Sequence, residues 1–232
     1  MRQLPLSVRL HDRARFESFL PGPNTLALGQ MRRLAEVPHA GLTWLCGPAA
    51  SGKTHLLQAL CAQAGAEACY LPLSQLPGLG AASLSEWPGA RWICLDEVAA
   101  VIGLPEWERA LFSLYRECEE RGTSLVMAAR EAPPQLGFAL PDLASRCAAG
   151  QRLTLSALDE FEQRAALRLR AQQRGVELPE ETALYLQRRL PRDMASLFAV
   201  LDELDLAALA AQRRLTVPFI RSALAQRATG PN

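Results

Sequence analysis

Gly47-Pro48-Ala49-Ala50-Ser51-Gly52-Lys53-Thr54 fits G-x-x-x-x-G-K-[ST] at every fixed position. The chemistry explains the spacing. Gly47 and Gly52 let the backbone fold round a phosphate with its N–H groups turned inward. Lys53 brings a point charge for β- and γ-phosphates, and Thr54 a hydroxyl for Mg²⁺. The flanks agree. Leu42 to Cys46 reads as a buried strand entering the loop, and Lys53 to Ala64 as a helix leaving it. The helix N-terminus then adds a favourable dipole toward an anion. Lys53 is also the only lysine of the chain, every other basic side chain apart from three histidines being arginine.

Working outward, three more strands are predicted in the first 130 residues: Cys69 to Leu73, Arg91 to Glu97 and Ser124 to Ala129. Asn24 is expected to cap a helix from Thr25 to about Val37. Glu106 to Arg121 carries Trp107, Ala110, Leu111, Leu114, Tyr115 and Cys118 on one helical face, and Gly122 stops it. A short helix over Leu143 to Ala149 leads into a fifth strand, Arg152 to Leu155. From Ser156 the alternation ends and four helical patterns follow. Ser156 is expected to cap the first, with Leu158, Phe161, Ala165 and Leu169 inside. Pro179 opens the second (Ala183, Leu186, Leu190). The third begins near Arg192 (Met194, Leu197, Phe198, Leu201, Leu204), and Thr216 caps the fourth (Ile220, Leu224). The prediction is an α/β class chain: a parallel five-stranded sheet with helices on both faces over 13–155, a small all-α domain over 156–232, and an extended tail over 1–12.

Composition narrows the classes. A length of 232 residues allows one large domain or a medium and a small one, and a formal net charge of +1 gives no strong field toward nucleic acid or membrane. The six cysteines (46, 61, 69, 94, 118, 147) form no C-x-x-C pair and sit mostly in apolar runs, as reduced core residues of a cytoplasmic protein do. His11, His39 and His55 have no ligand spacing. No signal peptide and no apolar run of membrane-spanning length is seen.

Asp96 and Glu97 close the third strand. In a phosphate-loop nucleotidase an acid here holds Mg²⁺, and a second beside it polarises the attacking water. Arg146 precedes the fifth strand. Two readings stand: a surface ion pair with Asp142, or a cation offered to a neighbouring molecule's nucleotide. Arg192, at a helix start, either faces solvent or points at phosphates from the second domain. The fourth strand ends in Ala128-Ala129, and the residues alone do not decide whether Arg130 or Glu131 serves as its polar sensor.

With these residues in place the chain resembles the AAA+ module of the DnaA family of bacterial replication initiators, and within it the short regulatory inactivators, over essentially residues 1–227. Gly52-Lys53-Thr54-His55-Leu56-Leu57-Gln58-Ala59 is very like the family's loop and helix. Phe16 to Asn24 resembles the segment that wraps the adenine, so the resemblance implies that Phe19 and His55 join Gly47, Pro48, Ala49, Ala50, Ser51, Gly52, Lys53, Thr54, Asp96 and Arg192 around ADP or ATP. Leu140 to Arg146 is similar to the arginine-finger box, and Arg192-Asp193-Met194 with Leu197-Phe198 to the second sensor. Glu131 falls where the family tends to have an acidic sensor. The tail Gln3-Leu4-Pro5-Leu6 looks like the inactivators' sliding-clamp motif, an extended peptide whose Leu4 and Leu6 enter an apolar pocket. The chain ends at 232, so no room is expected for the initiator's duplex-reading domain.

The resemblance implies a negative regulator of replication initiation, a Walker A and B protein that docks on the DNA-loaded clamp (the polymerase III β subunit) and promotes hydrolysis of DnaA-bound ATP. Arg146 would act in trans; Glu97, with Mg²⁺ at Thr54 and Asp96, would serve the chain's own hydrolysis. The alternative is a AAA+ helicase loader or adaptor with its own ATP cycle; a small-molecule kinase fits less well because no acceptor lid lies between the strands. DNA contact and self-association are left open, and no membrane role is expected.

Overall fold

The computed structural model describes residues 14–85, 87, 89–190 and 194–229. The chain divides into two compact units, one ending at Ala157 and the other beginning at Leu158.

The first unit is a five-stranded parallel sheet in the order β2-β3-β4-β1-β5. Its strands are β1 (Gly41–Cys46), β2 (Ala68–Pro72), β3 (Trp92–Asp96), β4 (Ser124–Ala129) and β5 (Gln151–Thr154). The helices are α1 (Thr25–Glu36), α2 (Lys53–Ala64), α3 (Pro105–Arg121) and α4 (Pro141–Ala149). Each strand alternates its side chains between two cores. Leu42, Trp44, Cys46, Ile93, Leu95, Leu125 and Met127 pack with Trp107, Leu111, Leu114, Leu143 and Cys147 of α3 and α4. Leu45, Trp92, Cys94, Val126 and Ala128 pack on the other face, with Leu28, Met31, Leu56, Leu57 and Leu60 of α1 and α2. Burial on both faces is why the strands read as near-continuous apolar runs rather than as alternating ones. The five strands and four helices lie within about two residues of their predicted bounds.

Two local expectations are corrected. Asn24 precedes α1 but its side chain makes no cap bond. Its amide instead clasps the chain leaving β5: Nδ2 donates to Ser156 O at 3.0 Å and Oδ1 accepts from Ser156 N at 2.7 Å. Ser156 therefore caps nothing. Asp159 does, accepting from Glu162 N at 2.7 Å, while the Glu162 carboxylate accepts from Asp159 N at 2.9 Å.

The second unit holds α5 (Glu160–Gln173), α6 (Glu180–Arg189), α7 (Met194–Ala211) and α8 (Val217–Thr229). Starting α5 three residues later than predicted turns its inner face. Ala166, Leu167 and Ala171 are buried, whereas Phe161, expected inside, is 70 % exposed with the Arg164 guanidinium over its ring. Leu158, Ala165 and Leu169 are only half-buried. On α6 and α7 the expected Ala183, Leu186, Met194, Leu197, Leu201 and Leu204 are buried, as is Ile220 of α8; Leu190, Phe198 and Leu224 are half-buried. Arg170 and Arg174 on α5 reach Asp202 of α7 at 2.6 and 2.7 Å, and Arg174 also meets Asp205. Among the described residues no helix is long and apolar enough to cross a membrane.

Candidate functional site

The parallel register sets the site. Cys46 of β1 lies level with Ala129 of β4 and Thr154 of β5, so all three strands end together. The loop that follows is pinned on both sides: Gly47 N donates to Arg130 O at 3.2 Å, and Leu155 N to Cys46 O at 2.7 Å. Both glycines are required. A Cβ on Gly47 would lie 2.5 Å from Leu155 O. Gly52 has φ +99°, and a Cβ there would lie 2.5 Å from Cε2 of Phe19. Ala50 and Glu97, with φ of 58° and 54°, are two of the three non-glycine residues at positive φ among those described, and both sit at this loop and strand end. Such strained backbone persists where surrounding structure enforces it.

The side chains converge. Lys53 Nζ donates to the carbonyls of Gly47 and Pro48, both at 2.7 Å. Burial pulls its ammonium below the ordinary lysine value; Asp96 opposes this and Arg130 reinforces it. Thr54 Oγ1 donates to Asp96 Oδ2 at 2.6 Å, Tyr70 OH donates to the same oxygen at 2.9 Å, and Oδ1 accepts from Glu97 N at 2.9 Å. Burial first, then Asp96, push the Tyr70 hydroxyl well above its usual range, so it remains a donor. Glu97 itself is exposed and accepts from Ser74 Oγ. Ser51 Oγ is buried with no hydrogen-bond partner. An orphaned hydroxyl, two glycines with no room for a Cβ, and a hydroxyl–carboxylate pair beside a cation suit a phosphate and its Mg²⁺.

Phe19 covers this loop. Its ring lies on Gly52 and 5.6 Å from the His55 ring, and His55 Nε2 lies 2.9 Å from Arg15 O and 3.1 Å from Ser18 Oγ. So the aromatic segment ahead of α1 and the first turn of α2 are built together. Arg130, left open beside Glu131 by the sequence, is the one whose charge acts on Lys53; Glu131 offers its carbonyl to Trp44 Nε1 at 3.0 Å.

Arg146 lies elsewhere. It sits in the last turn of α4, ahead of Gln151, and Gln151 is level with Thr43 near the start of β1. The loop follows the other end of these strands, so about 10 Å of β-structure separates Gln151 from it. Arg146 is exposed, with its guanidinium 5.9 Å from the Tyr115 ring centroid. Among the described residues it joins no ion pair, so the pairing with Asp142 does not form. Gln3, Leu4, Pro5, Leu6, His11 and Arg192 lie outside the described residues.

Three contributors escaped the sequence reading. Tyr70 shares the face of Asp96 only because Pro72 is level with Asp96, a register no local pattern carries. Ser74 stands in a 3-10 turn, Leu73–Gln75, just past the second strand. Glu108 is fully buried, accepting from Gly103 N at 2.7 Å, Ala139 N at 2.9 Å and Leu140 N at 2.5 Å. Its only sequence signal is a carboxylate next to Trp107 on the inner face of α3.

Residues 159–224 match the Hda lid-domain family. Among solved structures, domain III of the Thermotoga maritima replication initiation protein DnaA aligns over 92 % of this chain and 96 % of its own, with TM-score 0.78 and 20 % identity. AMPPCP-bound DnaA from Aquifex aeolicus aligns over 85 % of this chain and 67 % of its own, with TM-score 0.68 and 19 % identity. The Thermotoga maritima RuvB Holliday junction branch migration motor aligns over 91 % and 73 %, with TM-score 0.61 and 16 % identity. The chain thus carries a segment that matches the Hda lid-domain family, following an α/β unit that shares its fold with DnaA domain III and RuvB.

Proposed function

We propose that this chain binds an adenine nucleotide at Gly47–Thr54 and acts on the ATP-bound DnaA initiator, placing Arg146 against that partner's nucleotide so that its ATP is hydrolysed and re-initiation is prevented. The observation that carries this is the situation of Arg146: exposed, and free of any ion pair among the described residues. A guanidinium so held is available to a second molecule. The AMPPCP-bound relative supports the nucleotide, and the Hda lid supports the regulatory role.

Each residue then has a task. The N–H groups of the loop and the Ser51 hydroxyl receive phosphate oxygens, and Lys53 exchanges its two loop carbonyls for them. Thr54 and Asp96 would hold Mg²⁺, which neutralises phosphate charge when bound. Phe19 and His55 wall the nucleotide, and the resemblance implies the second-sensor role for Arg192. Glu97, exposed at a strained φ and next to Ser74, is placed to orient water for the chain's own turnover. Arg146 supplies charge at the partner's transferring phosphoryl group, an effect worth roughly 10³–10⁵ in rate where arginine fingers have been measured. Gln3–Leu6 dock on the sliding clamp, a short anchor strengthened when a second contact raises effective concentration.

The test is hydrolysis of DnaA-bound ATP with and without this chain and with and without clamp loaded on DNA. Stimulation should need the clamp and an intact Gln3–Leu6, and Arg146→Ala should abolish it while nucleotide and clamp binding persist. A chain that turns over ATP alone and leaves DnaA untouched is instead an adaptor or loader with its own cycle, the reading that intact Lys53, Asp96 and Glu97 favour.

A further inference from the structure

We infer that α3 is the mount of the trans-acting arginine, with Glu108 fixing the entry to α4 and Tyr115 seating the Arg146 guanidinium. This rests on the reading of Arg146 given above.

Glu108 and Tyr115 are seven residues apart, two helical turns, and so lie on one stripe of α3. At the first position a buried carboxylate gathers three backbone N–H groups from two loops. Gly103 belongs to the segment entering α3; Ala139 and Leu140 lead directly into α4 at Pro141. The last contacts fix where α4 starts. Two turns further on, the Arg146 guanidinium stands over the Tyr115 ring, 5.9 Å from its centroid, and the ring's hydroxyl donates to Glu119 Oε1 at 3.2 Å. The finger helix is nine residues long, and Arg146 stands six residues beyond Leu140. Its two supports therefore meet it near each end, and both come from one seventeen-residue helix packed in the core. The proximity extends to Cys147: burial, with the Glu108 charge adding, pushes its thiol up to about 12.

A finger must arrive in one orientation. An exposed arginine side chain is otherwise rotamer-rich, and ordering it on encounter costs part of the interaction. An aromatic face favours a stacked guanidinium over its other rotamers, and backbone anchoring at the helix start sets its height. Tyr115 and Glu108 are positioning residues: they touch no nucleotide and act through Arg146.

The experiment measures stimulated hydrolysis of DnaA-bound ATP against concentration of this chain, for wild type and the Arg146→Ala, Tyr115→Leu, Tyr115→Phe and Glu108→Gln variants. Tyr115→Leu should lower the saturating rate about tenfold, less than the ~100-fold that a misplaced reacting group can cost, with half-saturation unchanged. Tyr115→Phe keeps the ring face and should restore the rate to within about twofold. Glu108→Gln turns a donor toward Leu140 N–H and should also lower the rate rather than the half-saturation. Should Glu108→Gln fail to fold, the surface-facing Tyr115 pair still decides. Wild type without stimulation, or Arg146→Ala matching wild type, overturns the underlying reading. Loss with Arg146→Ala but none with Tyr115→Leu overturns the mount alone. So does a Tyr115→Leu effect on half-saturation only, or a Tyr115→Phe as poor as Tyr115→Leu. A folded Glu108→Gln with the full rate removes Glu108 from it.

Discussion

Gly52→Ala isolates the fit between the phosphate loop and the aromatic segment ahead of α1. Two separate costs are expected. At φ +99° an alanine enters a left-handed conformation, at about 1–2 kcal/mol. Its Cβ would also lie 2.5 Å from Phe19 Cε2, so the ring must retreat by about 1 Å to reach ordinary contact. Phe19 is 8 % exposed and packs with buried neighbours, which makes that retreat an overpacking strain of about 1–3 kcal/mol. The sum is about 2–5 kcal/mol, a large part of a typical domain's stability. The two parts separate in a double-mutant cycle with Phe19→Ala. Removing the ring leaves the backbone cost but abolishes the clash, so the pair should couple by about 1–3 kcal/mol. The readout is urea unfolding followed by tryptophan fluorescence. All four tryptophans (44, 87, 92 and 107) lie before Ala157, so the signal reports the α/β unit alone. A Gly52→Ala protein within about 0.5 kcal/mol of wild type would refute the argument, since that is the range of neutral surface changes. An additive cycle would refute its Phe19 half.

Two further outcomes follow from the titrating groups. Burial, first among the causes, pushes the thiols of Cys69, Cys118 and Cys147 up to about 12, leaving about 10⁻⁴ of each as thiolate at pH 8; a thiol reagent should therefore spare them in the native chain and count all six free cysteines after unfolding. For Lys53 the folded value lies below the ordinary 10.5, so between the two the unfolded chain binds more protons and stability rises with pH. Lys53→Met should remove that rise: the stability difference between wild type and variant should grow in favour of wild type as pH climbs toward 10.5, and a difference independent of pH would contradict it.

How much of this was legible in the residues depends on the range of the forces involved. The loop Gly47–Thr54 was legible because its function constrains consecutive positions. The strands were legible because burial on both faces makes them apolar throughout, and α3 because Pro105 opens it and Gly122 closes it. What failed was set by partners far along the chain. Asn24 looks like a cap in a window of four residues, yet its amide is claimed by Ser156, 132 positions away. With Ser156 so engaged, the capping duty fell to Asp159, and that shift put Phe161 on the outside of α5. Glu108 looks like an ordinary surface acid on a helix; only the arrival of residues 139–140 from the next connection makes it a buried acceptor. The strand order and the placing of Tyr70 on Asp96 are matters of register between strands, which local pattern does not encode.

The Asn24–Ser156 clasp has a mechanical consequence. β5 is an edge strand, paired on one side only with β1. Tension applied to the chain from Leu158 onward would by itself unzip that strand one hydrogen bond at a time. The clasp places two further bonds, from a 2 % exposed side chain, ahead of the first strand bond in the load path and routes the force into the start of α1. A pull on the C-terminal side is thus shared with a helix seated in the core, and the edge of the sheet is shielded from peeling.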